Sequence, residues 1–382
     1  MSTPPLPRPP HAFPAAAKGR GTGSAMAHRF ARVLRQPEDD GWAACDPDTD
    51  DPDSEGSAPP QPTQWRWETA RSALTRNQSP DIPFDLSLNP YRGCEHGCSY
   101  CYARPTHGYL DLSPGLDFET RLVAKRNVAE LLRAELARPR YRPSGIALGT
   151  VTDAYQPLER KLGLTRACLT VLAEARHPVA AVTKGSAITR DLDLWADLAR
   201  DGLAVVYVTI TTLDADLARR LEPRAPSPAS RLRMVAALAQ AGVPVGVSLS
   251  PQIPFLNTDL EQVLAAAAQA GASRAFCIPL RLPWEVAPLF KAWLQQHAPE
   301  RAERVLARVR DLRGGRDNDA RFGTRMTGQG LWADLLRQRF HKACERLGLT
   351  GERQPMSVAL FRRPDALHAS DPTPGHAQMP LF

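Results

Sequence analysis

The sequence has few cysteines, no long apolar run and no pattern typical of a secretory leader. Seven cysteines occur in 382 residues. The number is odd and three of them share one short segment, so they do not form the framework of a disulfide-rich secreted domain. No apolar stretch approaches the roughly 20 residues of a membrane span, and the proline-rich N-terminus has no apolar leader core. We therefore expect a cytoplasmic protein with reduced thiols and no membrane association.

Acidic residues are in the minority and are unevenly distributed. The chain has 48 Lys and Arg against 41 Asp and Glu, a net charge of +7. Residues 1–76 sum to −1 and the remainder to +8, whereas residues 38–55 are half acidic. Such polar, proline-rich composition cannot bury a core, so 1–64 is predicted to be a disordered tail with a basic and an acidic part. The basic remainder suits a polyanionic partner.

Beyond the tail, apolar strand-like runs alternate with helical runs, but no glycine-rich phosphate turn follows the first strand. Six such strands, separated by helices, predict an α/β fold with a parallel sheet. Without the phosphate turn, a partial (β/α)6 barrel fits better than a doubly wound sheet. We expect this barrel over 65–282, a helical, arginine-rich C-terminal extension over 283–363 with a final strand at SVALFRRP, and a flexible tail over 364–382.

Three cysteines lie within eight residues, in the segment NPYRGCEHGCSYCYARP that follows the first strand. Three thiolates leave one corner of a [4Fe–4S] cluster open, and thiolate ligation is the rule for such clusters. The alternative is a zinc site that adds His96 to the three cysteines, although His96 is only two residues from Cys94 and from Cys98. An iron–sulfur cluster at the mouth of the barrel is the favoured interpretation.

The segment CEHGCSYC resembles the signature of the radical S-adenosylmethionine (SAM) superfamily, with three and then two residues between cysteines and an aromatic residue before the last. The resemblance covers about 85–300 and implies a partial (β/α)6 barrel. It implies that Cys94, Cys98 and Cys101 hold a [4Fe–4S] cluster whose open iron binds SAM. Reductive cleavage then gives a 5′-deoxyadenosyl radical, which implies a reductase or a flavodoxin- or ferredoxin-type electron donor.

Later segments resemble the branch that contains spore photoproduct lyase and photolyase-like relatives, and most of all an uncharacterised bacterial group within it. They are TDAYQPLE, VTKG, LEPRAPSPASRL and VSLSPQIPFLN. The resemblance implies that Tyr100 lies near the adenine of SAM, that Lys184 pairs with its carboxylate and that Asp153 binds its amino group. It implies further cofactor-binding residues on the fourth and fifth strands and the fourth helix: Thr209, Thr211, Arg231 and Ser248.

The residues themselves leave other roles open at these positions. Asp153 also suits a turn in which its carboxylate accepts a backbone hydrogen bond. Lys184 also suits a solvated strand end, and β-propensity alone favours threonine in a strand.

The sequence departs from spore photoproduct lyase in one respect. That enzyme returns a hydrogen atom through a cysteine on the second strand and a tyrosine directly after the third cluster cysteine. Tyr102 matches the tyrosine and is our candidate catalytic residue, but residues 148–152 read LGTVT and contain no cysteine. Thymine-dimer repair by that relay is therefore not expected. Cys277, on the sixth strand, replaces the missing thiol only if it faces the barrel mouth.

A nucleic-acid substrate is suggested by the branch resemblance, the basic body and the arginines after the barrel. Cations of this kind contact phosphates, but acidic residues are interleaved among them, so a solvated face with internal ion pairs explains them equally well. The arginines are Arg301, Arg304, Arg308, Arg310, Arg313, Arg316, Arg321 and Arg325.

The last five residues, QMPLF, run from Gln378 to Phe382 and resemble the peptide by which bacterial DNA-repair proteins dock to the sliding clamp. A terminal Leu and Phe on a flexible tail suit a groove-binding peptide.

Three functions remain open from the sequence: a lyase-like or modifying radical SAM enzyme acting in nucleic-acid repair or modification, a radical SAM enzyme that modifies a small molecule or protein, and a non-catalytic metal protein that binds nucleic acid.

Overall fold

The computed structural model describes residues 19–23, 25–31, 61–351 and 356–365. The strands are β1 Gln64–Glu68, β2 Leu74–Arg76, β3 Leu86–Leu88, β4 Tyr91–Arg92, β5 Arg121–Lys125, β6 Ile146–Leu148, β7 Val179–Thr183, β8 Ala204–Thr209, β9 Val245–Gln252 and β10 Arg274–Pro279. The helices are α1 Asp117–Thr120, α2 Val128–Ala137, α3 Glu159–Leu162, α4 Leu164–Glu174, α5 Leu192–Arg200, α6 Ala215–Leu221, α7 Pro228–Gln240, α8 Leu260–Gln269, α9 Val286–His297, α10 Pro299–Leu312, α11 Thr324–Thr327 and α12 Leu331–Leu347. Two 3₁₀ helices span Arg104–Leu110 and Ser186–Asp191.

The predicted parallel sheet is present. Strands β3, β6, β7, β8, β9 and β10 lie side by side in chain order and pair in parallel, and β2 adds an antiparallel edge next to β3. Helices connect the successive parallel strands, as such connections require. Within the described residues the sheet does not close on itself, so the architecture is a partial (β/α)6 barrel, as predicted.

The parallel strands are apolar because most of their side chains are buried. The core contains every second residue of β8 (Ala204, Val206 and Val208) and of β9 (Val245, Val247 and Leu249). These valines and leucines pack against the apolar faces of the surrounding helices, with Trp195 of α5 fully buried among them. The polar side chains that follow the strands therefore collect at the carboxyl edge of the sheet.

Helices α6 and α7, which carry the segment between β8 and β9, begin at well-defined caps. The carboxylate of Asp214 accepts from the backbone N–H groups of Asp216 and Leu217, and the hydroxyl of Ser227 accepts from that of Ser230. Pro228 occupies the first turn of α7, where its missing N–H costs nothing. The loop between the two helices is thereby fixed, and it carries Glu222, which is central to the site below.

The C-terminal extension packs against the cysteine loop instead of standing apart. Helices α9 and α10 form one apolar cluster with Cys98 and Tyr100. The extension begins with two helices, α9 and α10, which are separated between His297 and Pro299. The boundary at 282/283 stays a prediction, and the residues after 365 lie outside the described part.

The strand predicted at SVALFRRP is wrong. Its residues are described as loop, and the Phe361 ring packs 5.7 Å from the Tyr141 ring and 5.5 Å from the His177 ring. The outer edge of β10 already meets Thr350 and Gly351, because Arg274 pairs with Thr350 and Gly351 N–H donates to the Ser273 carbonyl. The segment therefore packs against Tyr141 and His177 and not against the outer edge of β10.

Part of the predicted N-terminal tail is ordered against the body. Residues 19–23 and 25–31, here called the N-terminal strap, contain buried Arg20, Thr22 and His28. Composition did not indicate this contact. The other residues of 1–60, and the clamp-like peptide between Gln378 and Phe382, lie outside the described residues. None of the described helices is both long and apolar enough for a membrane span.

Candidate active site at the cysteine loop

The cysteine loop is buried and held by backbone hydrogen bonds. Cys94 N–H donates to the Phe118 carbonyl at 2.9 Å, and Ser99 N–H donates to the Leu221 carbonyl at 3.0 Å. Gly97 has φ +67°, and a Cβ there would lie 2.6 Å from the Glu119 carboxylate. Only glycine fits this position. The loop is therefore a preformed cradle.

The three thiols form a donor set that suits a cationic cluster. Burial raises the pKa of Cys94 well above its usual range, and the Cys98 and Cys101 thiols nearby raise it further. Burial raises the pKa of Cys98 to about 12. Adjacent buried thiolates are favourable only when bound cations neutralise them, which iron ions do. The residues therefore fit a [4Fe–4S] cluster held at three corners.

His96, the extra ligand of the zinc alternative, has another partner. Its Nδ1 lies 3.2 Å from Oδ2 of Asp153, and the ring is 2% exposed. Among the described residues, no group of three or more His, Cys, Asp or Glu side chains is close enough to hold a single metal ion. The observed contact gives His96 a role in orienting Asp153.

A buried ion pair between Arg104 and Glu119 also holds the cysteine loop. The Arg104 guanidinium donates to Oε1 of Glu119 at 2.5 Å and to the Cys98 carbonyl at 2.9 Å. Gly21 N–H of the strap donates to Oε2 of the same carboxylate at 2.8 Å. Glu119 thus links the strap to the cluster loop through Arg104. Neither charge is exposed to solvent.

A carboxylate that the sequence did not single out, Glu222, organises the other side of the loop. Tyr100 hydroxyl and the Arg231 guanidinium both donate to it, and Thr211 hydroxyl donates to Oε1 at 3.0 Å. Burial alone would raise the pKa of Glu222, but Arg231 and then Lys184 outweigh burial and hold it at about 2. Glu222 is therefore a buried anion.

Lys184, which follows β7, belongs to the same group. Its ammonium lies 5.7 Å from the centroid of the Tyr100 ring. Burial alone would lower the pKa of Lys184, but the Cys98 thiolate and Glu222 raise it instead. The ammonium is thus kept protonated next to the cysteine loop, which is the state needed to bind a carboxylate.

Asp153 lies at the same edge with its oxygens engaged. It accepts from Thr183 hydroxyl at 2.6 Å, from Lys184 N–H at 2.8 Å and from Tyr155 N–H at 2.9 Å. The bond from Tyr155 N–H closes the turn that the sequence left open as an alternative role of Asp153. Burial would raise the pKa of Asp153, but His96 lowers it below its usual range. Its binding to an amino group of SAM stays a prediction.

The other predicted cofactor residues lie on neighbouring strands. Thr209 of β8 is in register with Ser248 of β9, and both are buried. Arg231 donates to the Thr209 carbonyl at 3.1 Å and to the Pro226 carbonyl at 2.8 Å, in addition to Glu222. Arg231 is thus engaged by protein groups. The roles predicted for Thr209, Thr211, Arg231 and Ser248 toward SAM remain predictions.

Comparison with known proteins places this arrangement in a family. The family model described as the radical SAM superfamily matches residues 88–267. The uncharacterized protein Rv2578c of Mycobacterium tuberculosis is 39% identical over 234 residues, which are 60% of this chain and 68% of that protein. The chain belongs to the radical SAM superfamily. It is therefore a radical SAM enzyme, and membership implies a [4Fe–4S] cluster and SAM.

The chain also has more distant similarities. The uncharacterized protein MJ0683 of Methanocaldococcus jannaschii is 27% identical over 216 residues, covering 56% of this chain and 77% of that protein. Spore photoproduct lyase complexed with dinucleoside spore photoproduct has a TM-score of 0.54 at 15% identity, covering 74% of this chain and 79% of the other. At this identity the likeness shows a shared fold.

Tyr102, which directly follows the third cysteine of the loop, is 55% exposed. Its hydroxyl donates to the Thr150 carbonyl at 2.5 Å, within the segment LGTVT that has no cysteine. Cys277 does not supply the missing thiol, because it packs with the core around α12: burial and the neighbouring Cys344 raise its pKa to about 12. Cys277 therefore faces the core around α12 and not the cysteine loop.

The arginines after the barrel largely have partners. Arg308, Arg310, Arg321 and Arg325 pair with Asp311, Asp317, Asp319 and Asp81, and Arg301 with Glu300. Arg313 is buried and donates to backbone carbonyls of Pro279 and Leu280. Internal ion pairs therefore account for most of these arginines. They favour the alternative of a solvated face over a broad phosphate-binding surface.

Sequence reasoning missed Glu222, Glu119 and Arg104. Glu222 had one usable signal, since LEPR places an acid directly after an apolar helical turn and nine residues before Arg231. Glu119 and Arg104 had none, because their pairing joins two short helices, the first 3₁₀ helix and α1, between residues 15 positions apart.

Proposed function

We propose that this radical SAM enzyme acts on a nucleic acid, in the first place DNA, in a repair or modification reaction without a second-strand thiol. The observation that carries the radical chemistry is the group around Glu222. It brings Cys98, Tyr100 and Lys184 together at the carboxyl edge of the parallel sheet. Active sites of (β/α) folds collect at this edge.

The chain's own residues have separate roles in this proposal. Cys94, Cys98 and Cys101 would hold three irons of the cluster, and Lys184 would bind the carboxylate of SAM. When bound, the cluster and SAM supply a 5′-deoxyadenosyl radical that abstracts a hydrogen atom from the substrate. Glu222 keeps Lys184 and Arg231 charged and fixes the Tyr100 ring. Apolar packing by α9 and α10 excludes water from this side of the loop.

Tyr102 is the proposed catalytic residue on the substrate side. Its phenol is exposed and oriented by the Thr150 carbonyl. The proposal that the substrate is a nucleic acid is supported by the +8 charge after residue 76 and by the fold shared with spore photoproduct lyase, whose solved complexes contain dinucleoside spore photoproduct. A reductase or a flavodoxin- or ferredoxin-type protein would supply the electron.

Isotope transfer tests the proposed function. The anaerobically reconstituted protein is reduced with SAM in the presence of deuterated DNA, and 5′-deoxyadenosine is analysed by mass spectrometry. We expect deuterium in 5′-deoxyadenosine and a change in its rate of formation when DNA is added. A rate that DNA leaves unchanged, with no deuterium transfer from DNA or RNA, would remove the nucleic-acid substrate and favour the alternative of a small molecule or protein.

A further inference from the structure

Three large aromatic side chains are exposed together beside the cysteine loop. Phe30 of the strap is 48% exposed, Tyr109 at the end of the first 3₁₀ helix is 66% exposed and Trp284 after β10 is 65% exposed. Together with Arg29, they form what we call the rim platform. Three separate parts of the chain contribute to it, and the contribution of the strap makes it contiguous. Exposed aromatic clusters of this kind mark interaction sites.

The rim platform is a rigid arrangement around one guanidinium. The Arg29 guanidinium carbon lies 4.1 Å from the centroid of the Trp284 ring and 4.6 Å from that of Phe30. The rings of Phe30 and Tyr109 stack with centroids 5.3 Å apart. Glu285 holds Arg29 in place, accepting from its N–H at 2.9 Å and from its guanidinium at 3.0 Å. The faces are therefore preorganised, which lowers the entropic cost of binding.

Trp284 has an unusual backbone conformation. Its φ is +47°, in the left-handed region that disfavours bulky residues. An interior position would compensate this strain by burying the indole, but about two thirds of this side chain is exposed. Strained residues persist where the surrounding structure requires them and cluster at binding sites. The fold therefore keeps an indole on the surface at this point.

Arg281 adds a positive charge close to Trp284 in the chain, and it interacts electrostatically with Tyr102. Arg281, three residues before Trp284, contacts the Met326 sulfur at 3.1 Å, and its Nε is buried with no partner among the described residues. The nearby carboxylate of Asp81 is bound by Arg325. Burial and then the neighbouring Arg325 lower the pKa of Arg281 below its usual value. Tyr102 raises this pKa, but its influence is weaker. Within the part of the chain that the structure describes, no carboxylate pairs with Arg281.

We propose that the rim platform stacks unpaired bases of a single-stranded nucleic acid and that Arg281 contacts its backbone phosphate. The proposal rests on the proposed function and specifies its substrate. Aromatic faces beside cations are the recurring means of binding single strands, because every base has a π-face and every linkage a phosphate. The site combines both, because the cation Arg281 lies only three residues before Trp284 in the chain. In double-stranded DNA the base faces are buried, so a duplex would interact only with the positive charge of Arg281.

Binding by fluorescence anisotropy tests the proposal, with the full-length protein and three probes of equal length: a single strand, an abasic strand with the same phosphates, and a duplex. We expect the wild type to prefer the single strand. The triple variant F30A/Y109A/W284A should lose about 5- to 100-fold in affinity for it and bind the abasic strand as before. Arg281→Gln should weaken binding to both strands.

The matched control is Trp67→Ala. Trp67 is 41% exposed on β1, which pairs with β5 in a second sheet of the three strands β1, β5 and β4, and the Arg126 guanidinium lies 5.8 Å from its ring. Its removal should leave all three affinities unchanged. Thermal unfolding confirms that the triple variant is folded. Equal wild-type affinity for the single and abasic strands, or unchanged binding by a folded triple variant, would overturn the stacking inference and leave the proposed function standing. Failure of the wild type to bind any probe would instead contradict the nucleic-acid substrate itself.

Discussion

Tyr100 and Tyr102 flank the same cysteine, but their hydroxyls lie in different surroundings. Tyr100 is 6% exposed and donates to the buried Glu222 carboxylate, whereas Tyr102 is 55% exposed and donates to a backbone carbonyl. The first belongs to a closed, charged network next to the cysteine loop. The second lies open to solvent. One short loop therefore separates a closed side, which we propose as the cofactor side, from an open side, which we propose as the substrate side.

The largest effect is expected when a cysteine that holds the cluster on the cofactor side is replaced. Replacing Cys94, Cys98 or Cys101 by Ser should abolish iron–sulfur absorbance and SAM cleavage, because a hydroxyl is a poor iron ligand. Cys168→Ser is the matched control, since Cys168 is also a buried free thiol but lies in α4 within the main core. Iron and sulfide content after anaerobic reconstitution measures the effect. Full cleavage activity in a cluster-cysteine variant would show that the three thiols are not the ligands.

The next largest effect concerns the charge balance of the cofactor side. Glu222→Gln leaves the buried Arg231 without its anion, so we expect the free energy of unfolding to fall by about 3 kcal/mol. The control is Glu261→Gln, which breaks the partly exposed pair with Arg339 and should cost below about 1 kcal/mol. Denaturant titration compares them. Equal small losses would mean that Glu222 is not the centre of the network.

Acid should weaken the cofactor side in the same way. Because the pKa of Glu222 is held at about 2 in the folded chain and is 4.5 ordinarily, its contribution is complete above pH 4.5 and is lost as the pH falls toward 2. The linkage amounts to about 3 kcal/mol at most. Unfolding measured across this range should show a steeper loss of stability in the wild type than in Glu222→Gln. Parallel curves would contradict the depressed pKa.

A smaller effect is expected where the strap meets the loop. A Cβ on Gly21 would lie 1.7 Å from the Gly97 carbonyl oxygen, so Gly21→Ala should displace the strap at a cost of about 1–3 kcal/mol. Limited trypsin digestion should then cleave after Arg20 and Arg29 faster than in the wild type. The exposed Ala27→Ser serves as the control within the same segment. Unchanged cleavage rates would show that the strap does not depend on this close approach.

The two tyrosines themselves give the finest comparison. Tyr100→Phe removes a hydrogen bond to a buried carboxylate and should cost about 1.5–2 kcal/mol of stability. Tyr102→Phe should change stability by less than about 0.5 kcal/mol and keep the iron content, while altering turnover of the nucleic acid. Denaturant titration and iron analysis of both variants test this. Equal losses of stability would remove the distinction between the two sides.

Much of this molecule could be predicted from local sequence. The parallel strands are apolar runs between helices, and the spacing of Cys94, Cys98 and Cys101 indicated the site without any tertiary information. Lys184 was assigned through the resemblance of the segment VTKG to the spore photoproduct lyase branch. Each of these features is a pattern along the chain, which is why sequence reasoning found them.

The remaining features depend on contacts between distant segments. Glu222 and Glu119 are acids that the fold places among buried cations, and composition gives no sign of this. The strap was predicted as part of a disordered tail because the tail as a whole is polar and proline-rich, yet the Arg20 guanidinium and Gly21 N–H both donate to Glu119. The arginines after the barrel suggested a nucleic-acid surface, whereas folding pairs most of them with acids. The exposed aromatic residues are scattered in sequence and meet only in three dimensions.

The central claim is that three thiols hold a cluster which cleaves SAM. The most direct measurement is iron and inorganic sulfide content of the anaerobically purified chain, together with 5′-deoxyadenosine formed on reduction with SAM. The account predicts about four irons and about four sulfides per chain and 5′-deoxyadenosine as a product. One zinc ion per chain, without inorganic sulfide and without cleavage of SAM, would contradict it.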